Sequence, residues 1–387
     1  MNTFNGLTAA EFYFRRDART ITIVGNGLAL SRLIISVDDA EAETFSGQLA
    51  FLLLVNLNTR WCRDIQFKVP DVAVHPDLKV FFGCSNLHEA TSRLASAIDP
   101  FGSFDIAKFE LGKSHERVHI HVGIQVARGA YPLMGRGWMA GCGECILTNP
   151  LIGEQCNPLG AALAASIGTA WAMRQCIGDT EVFADVMLSL WNYDDGAAAT
   201  DGPALANSSL GRLLMVGIGA VGSSMAYLLP LLRQKPSGVC LVDADDVDYP
   251  NLNRAPAFLA EDVGVKKVQV VARHLERSGI TTKFVPEWFD GIVVSVADFD
   301  LVVPAANEPA AREAIMNSVP PLMISASTGT QWDAYRQRHI PIKDDCLVCR
   351  FPSKNPAPAL GCATGKVVIH DVPGITESEQ TLSLIHI

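Results

Sequence analysis

The sequence predicts an α/β protein, with parallel sheets covered by helices on both faces and two tandem lobes in one chain. Three observations carry this. Short apolar runs alternate with helical stretches from Leu213 to Ile324, the pitch of a parallel sheet. A glycine loop, GIGAVG, joins the first of these runs to a helix. Two segments of the first half, ITIVGNG (Ile21 to Gly27) and KVFFGCSN (Lys79 to Asn86), resemble LLMVGIG (Leu213 to Gly219) and DLVVPAAN (Asp300 to Asn307), in the same order. The first half therefore reads as a degenerate copy of the second.

The predicted elements of the second half run in order. Leu213–Val216 is a strand, and an apolar helix runs on from the glycine loop to Leu232. Val239–Val242 is a second strand, Lys266–Ser278 a helix and Lys283–Pro286 a third strand. Leu301–Val303 and Leu322–Ile324 complete the set. In the first half, NPLGAALAASIGTAWA (Asn157 to Ala172) reads as a capped, buried helix of small residues. The small, polar, Gly- and Ala-rich stretch Asp194 to Ser209 reads as a linker or exposed loop. The expected division is a lobe over 1–193, a linker over 194–210 and a nucleotide-binding lobe over 211–387.

Composition narrows the function. The chain has 387 residues, 49% of them hydrophobic, which is enough for two or three packed domains. A formal net charge of -10 argues against nucleic acid as the main partner, because phosphate binding needs cations. No signal peptide is visible, since Glu11, Arg15 and Arg16 precede any long apolar run. The weakly polar stretch Leu159 to Met173 is shorter than the roughly 20 residues of a membrane span. The chain thus reads as soluble and cytoplasmic.

The glycine loop carries the chemistry. Gly217, Gly219 and Gly222 fit G-x-G-x-x-G after a strand and before a helix, where backbone N–H groups and the helix dipole favour phosphate. Asp243, at the end of the second strand and roughly 20 residues on, stands where an acid accepts hydrogen bonds from a ribose. This makes the sheet Rossmann-like. The pair serves NAD or ATP equally well.

VDADDVDYPNLNR (Val242 to Arg254) followed by EDVGVKK (Glu261 to Lys267) resembles the pattern D-x-D-x-V-x-x-x-N-L-x-R, then D-V-G-x-x-K, of the ubiquitin-activating, ThiF and MoeB adenylating enzymes, in their bacterial two-lobed form. The resemblance implies ATP and magnesium as cofactors. It implies attack on the α-phosphate by the C-terminal carboxylate of a ubiquitin-like protein ending in glycine, with pyrophosphate leaving. Arg254 and Lys267 match the family's phosphate-binding cations, and Asn251 its nucleotide-site asparagine. Arg312 matches the arginine of a D-N-x-x-A-R run, but Asn307 stands where that run has its magnesium-binding aspartate. Asparagine ligates through a neutral carbonyl, so this departure weakens the expected metal site. Arg15 or Arg16, in EFYFRR, would match an arginine that reaches the γ-phosphate across a dimer.

The cysteines follow from the same resemblance. Cys346 and Cys349 sit where the family has half of a structural zinc site, and Cys142 and Cys145 are the pair available to complete it. Two buried apolar pairs are the plain alternative. Cys362 lies near the position of the thioester-forming cysteine of some members. The closing TLSLIHI departs from the family and predicts a domain cut short at its C-terminal end. In RVHIH, His119 and His121 share one face of a strand, with His115 as a third conceivable metal ligand.

The implied function is ATP-dependent activation of a ubiquitin-like protein for bacterial conjugation, with a conjugating-enzyme-like partner, in the setting of antiphage defence. Homodimerisation is compatible with it. Three other readings stay open: a peptide-adenylating biosynthetic enzyme, an NAD-dependent oxidoreductase, and a non-catalytic nucleotide-binding module.

Overall fold

The computed structural model describes residues 3–18, 31–108, 118–153, 156–178, 185–205, 209–291, 294–306, 308–328, 334–341 and 343–344. Helix α1 (Ala9–Arg16) opens the chain, held by a capping box between Thr8 and Glu11. The first lobe then runs β1 (Arg32–Val37), α2 (Asp39–Ala42), α3 (Phe45–Asn58), β2 (Asp64–Lys68), α4 (Pro76–Phe82), α5 (Leu87–Ile98), β3 (Ser103–Ala107), β4 (Val118–Val122), β5 (Tyr131–Arg136), β6 (Met139–Cys142), α6 (Cys145–Thr148), α7 (Pro158–Cys176) and β7 (Val186–Ser189). The second runs β8 (Arg212–Val216), α8 (Ala220–Leu228), β9 (Gly238–Val242), α9 (Tyr249–Leu252), α10 (Lys267–Arg277), β10 (Thr282–Val285), β11 (Leu301–Pro304), α11 (Pro309–Asn317), β12 (Met323–Thr328) and β13 (Ala334–His339).

The two sheets repeat one topology. Their strand orders are β3-β2-β1-β4-β5-β6-β7 and β10-β9-β8-β11-β12-β13. Strands β1 to β5, and β8 to β12, pair in parallel, while β6, β7 and β13 close the far edges antiparallel. Each order reverses beside its first strand, between β1 and β4 and between β8 and β11. Such a crevice at the strand ends is where α/β sheets receive ligands.

The tandem copies are real, but one of the two matched segment pairs is not. Lys79–Phe82 lies in helix α4, whereas Leu301–Pro304 is strand β11. His75 and Pro76 start that helix and Gly83, at φ +65°, ends it. Its apolar run is therefore helical, a state that periodicity over so few residues does not separate from a strand. The other segment, Ile21 to Gly27, lies outside the described residues.

Buried helices α3 and α7 pack face to face in the first lobe. Almost every residue of α3 is buried, and α7 lays Gly160 and Gly168 against the sheet. A Cβ at Gly160 would press on the backbone of Arg136 and Met139, so glycine is what lets α7 approach β5 and β6. Asn157 caps α7 as expected, accepting from Leu159 N at 3.0 Å.

The stretch expected to be an exposed linker is fastened to the first lobe. The Asp201 carboxylate accepts from the backbone N–H of Trp138 at 2.9 Å and of Gly202 at 3.0 Å. Trp138 Nε1 donates to the Pro203 carbonyl at 2.8 Å, and Ser189 Oγ to Thr200 at 2.7 Å. Among the described residues no helix is long and apolar enough to cross a membrane.

Candidate functional site

Strand β8 ends in a turn that only glycine makes comfortably. Gly217 has φ +91°, and its N–H reaches back to the Val242 carbonyl at 2.8 Å. A Cβ at Gly217 would lie 2.5 Å from Ala306 N, and one at Gly222 would strike the Gly217 carbonyl. These two glycines therefore serve the close approach of the loop to β11 and of α8 to the loop. Gly219 faces open space and begins α8 without a side-chain cap. The first-turn N–H groups of α8 are thus left for an anion.

Asp243 closes the opposite wall. Its carboxylate accepts from Ile218 N at 2.5 Å and from Asp245 N at 2.8 Å. It holds the glycine turn to β9 and keeps acceptor capacity for a ribose. Burial raises its pKa, opposed by the Ile218 N–H and the nearby Lys267 charge.

The V-G-V-K-K segment lies antiparallel to the acidic segment after β9. Val247 bonds across it in both directions, its N–H donating to the Val265 carbonyl and its carbonyl accepting from Gly264 N, both at 2.8 Å. Lys266 Nζ donates to the Ala244 carbonyl at 2.7 Å and pairs with Asp246 at 2.9 Å. Lys267, only 6% exposed, pairs with Asp245 at 2.6 Å. Both lysines converge on the backbone that carries Asp243.

Other expected residues fall into three groups. Asn251 caps α9: its Oδ1 accepts from Asp248 N at 2.9 Å, completing a capping box. Arg254 is half-buried in the same loop and donates to the Pro250 carbonyl at 2.8 Å. Arg312 Nε bonds the Ala306 carbonyl at 3.1 Å, beside the Gly217 turn. Arg15 is exposed, with its guanidinium 5.5 Å from the Tyr249 ring, and lines an open cleft with Asp246, Asp248 and Gly264. Arg16 is not free to reach a phosphate in this arrangement. It is fully buried and bound to Asp17 at 2.6 Å and Asp99 at 2.7 Å.

The zinc expectation finds no support among the described residues. They contain no group of three or more His, Cys, Asp or Glu that could hold a metal ion. Cys142 is buried on β6, and burial pushes its thiol well up. Cys145 Sγ rests on the Cys142 carbonyl at 3.3 Å. Cys346, Cys349, Cys362, Asn307 and His115 lie outside the described residues. His119 and His121 belong to no such group among the described residues either. Each lies 2.7 Å from Ser36 Oγ, and all three are buried. A hydroxyl between two imidazoles donates to one and accepts from the other, so Ser36 is spent within the core, while His119 Nδ1 is buried without a hydrogen-bond partner among the described residues.

The first lobe's crevice is filled from within. Where β8 leads into Gly217, β1 leads into Asp38. Its carboxylate accepts from the N–H groups of Glu41 at 2.8 Å, Ile124 at 3.0 Å and Gln125 at 3.1 Å. Burial alone would raise its pKa, but His121 and these N–H groups hold it below the usual range. A carboxylate thus takes the donors that a phosphate would need.

Sequence reasoning missed the residues that join the lobes. Arg60, just after α3, is fully buried. Its Nη1 donates to the carbonyls of Leu252 at 2.7 Å and Phe258 at 3.1 Å, and its Nη2 to Pro256 at 2.8 Å. Asn56 adds a bond to Pro256 at 3.2 Å, and Asn253 Nδ2 donates back to the Arg16 carbonyl at 3.1 Å. The run NLNTRW interrupts an otherwise apolar stretch, and that was the available signal.

Comparison with known proteins places the second lobe. Residues 199–387 match the ThiF family. An uncharacterized protein, y4jF, of Sinorhizobium fredii (strain NBRC 101917 / NGR234) is 24% identical over 338 residues, covering 84% of this chain. The chain spans 61% of that relative's length. Among solved structures, E. coli tRNA N6-threonylcarbamoyladenosine dehydratase, TcdA, is 26% identical over 31% of this chain and 53% of its own, with a TM-score of 0.27. A second structure, titled TcdA (CsdL), overlaps 31% of this chain and 50% of its own at 26% identity and the same TM-score, 0.27.

Proposed function

We propose that this chain, whose residues 199–387 match the ThiF family, binds one ATP at the crevice between β8 and β11 and adenylates the terminal carboxylate of a ubiquitin-like protein. The observation that carries the reading is the convergence of the uncapped α8 terminus, the Asp243 carboxylate and the Lys267 ammonium on one strand-end crevice. Three chemistries that a nucleotide needs are thereby supplied: phosphate donors, a ribose acceptor and a cation.

In this reading a carboxylate oxygen of the substrate attacks the α-phosphorus of ATP. The bond to the bridging oxygen breaks, and pyrophosphate carries away the charge. An acyl-adenylate, a mixed anhydride, remains. The first-turn N–H groups of α8 cradle the phosphates, and Asp243 fixes the ribose. Lys267 and Arg254 offset charge on the leaving group as it grows. Magnesium fits a site that holds Asp245, an oxygen donor of the hard type it prefers, and would supply further neutralisation of the pyrophosphate. The first lobe contributes scaffolding, since Asp38 fills its own crevice. A conjugating-enzyme-like protein as the next acceptor, and a role in bacterial defence, belong to this reading.

The test is ATP–pyrophosphate exchange with magnesium, with and without a small protein ending in glycine. Exchange that requires the small protein and is lost in Lys267→Ala supports carboxyl adenylation. Exchange with short peptides instead would favour a peptide-adenylating enzyme. Tighter binding of NAD than of ATP would sink the reading.

A further inference from the structure

The loop that carries Arg254 is built around a side chain from the other lobe. Its carbonyls at Leu252, Pro256 and Phe258 all turn onto the guanidinium of Arg60. The chain from 252 to 258 therefore wraps one planar fork of donors, with Arg254 inside that span. Leu252 and Phe258 are fully buried beside it. Arg60 Nε is fixed in turn by Asn56 Oδ1 at 2.9 Å, one helical turn earlier. All of these partners are neutral oxygens, so a whole cation is buried behind the loop. Burial outweighs the help of the Tyr227 and Asp262 side chains and pulls its pKa down to about 9, which leaves it charged at neutral pH.

A purely structural joint could have been apolar, because replacing buried charge by well-packed apolar groups is often neutral or stabilising. Lysine would not do the same work, since it lacks the planar fork that reaches three carbonyls at once. The guanidinium supplies what an apolar joint lacks, a fixed loop shape.

We propose that Arg60 is a positioning residue for the nucleotide site, holding the 252–258 loop in the shape that presents Arg254 to the phosphates. The proposal rests on the reading of that site as one for ATP. The first lobe then acts on the chemistry through one guanidinium and its Asn56 support.

The experiment uses the full chain with ATP and magnesium. It compares wild type, Arg60→Lys and Arg60→Met by equilibrium binding, and by hydrogen exchange at Arg254, Ala255 and Phe258, whose N–H groups bond within the loop. The expected result is ATP binding weakened about tenfold in Arg60→Lys and further in Arg60→Met. Exchange should quicken at the loop while the β8 and β9 amides keep their protection. Faster loop exchange with wild-type ATP affinity would overturn the proposal and leave Arg60 a structural joint. A wild-type chain that binds no ATP would overturn the nucleotide reading, and the proposal with it. If neither variant folds, Asn56→Ser removes the side-chain bonds from one supporting residue only. A loss of about threefold in ATP affinity is then expected, and unchanged affinity overturns the proposal.

Discussion

Arg60 Nη1 donates to the Leu252 carbonyl at 2.7 Å, across the boundary between the two sheets. The same boundary holds an aromatic stack in which the Tyr227 and His274 rings lie parallel at 5.2 Å, with Phe81 of the first lobe edge-on to both. Polar and apolar contacts thus bind the lobes together. Denaturant unfolding followed by two probes, one in each lobe, should give a single coincident transition. Two separated transitions would show lobes that fold independently.

The Lys267–Asp245 pair predicts a change of sign that is informative either way. The pair, at 2.6 Å, occupies the cation meant for phosphate. Asp245→Asn should release it and tighten ATP about threefold to tenfold in a binding titration without magnesium. Lys267→Ala should weaken ATP at least tenfold. Weaker binding in Asp245→Asn would instead make the carboxylate an aid that orients the lysine.

Acid should destabilise the fold through two histidines. Burial, then the neighbouring His121 and Lys68 charges, brings His119 down to about 3, and burial brings His274 down to about 4. Both sit below the unfolded value near 6.5, so the unfolded chain binds protons that the native chain does not. Their stabilising contribution is complete above pH 6.5 and falls as pH drops toward 4, by about 1.4 kcal/mol per unit for each histidine. Urea midpoints measured from pH 7 to pH 5 should show this slope, and His274→Gln should reduce it by about half. An unchanged slope in that variant would mean that another group sets the acid limit.

The filled crevice of the first lobe predicts one nucleotide per chain. Calorimetric titration with ATP should give a stoichiometry of one. Asp38→Ala takes the acceptor from the N–H of buried Glu41 and from those of exposed Ile124 and Gln125, and should cost about 1 to 3 kcal/mol in unfolding free energy, without creating a second binding event. A stoichiometry of two would refute the filling argument.

A buried acid predicts the largest stability loss. Asp99 accepts from Arg16 Nη1 at 2.7 Å and from the Tyr13 hydroxyl at 3.2 Å. Asp99→Ala leaves the Arg16 charge buried with Asp17 as its remaining acid among the described residues, at a cost of about 3 to 5 kcal/mol. Thermal unfolding of the variant tests this, and a loss below about 1 kcal/mol would contradict it.

Much of the second lobe was legible in the sequence because its signals are local. Strands β8, β9 and β11 are apolar runs bounded by glycine and aspartate, and each was placed to within a residue or two. The Gly217 turn and Asp243 follow from spacing along a single strand–loop–helix unit. The first lobe was legible only in outline. Its strand β1 leads into Asp38, so no glycine loop marks the crevice, and the apolar run at Lys79–Phe82 is a helix. Arg16 carries the right residue type for a nucleotide site, but a buried ion pair has claimed it. Arg60 was invisible because its meaning lies in three carbonyls some 190 to 200 positions away. Sequence patterns report faces and turns, and they say little about which backbone oxygens a long side chain will meet.

Placing both sheets in one chain frees the joint from symmetry. In a pair of identical subunits related by a two-fold axis, every contact is made twice, and every substitution is felt twice. Here the Arg60 grip occurs once, pointing from the lobe with the filled crevice to the lobe with the open one. A residue can therefore be shaped for support on one side while its counterpart is shaped for binding on the other. The two halves divide labour that identical partners would have to share.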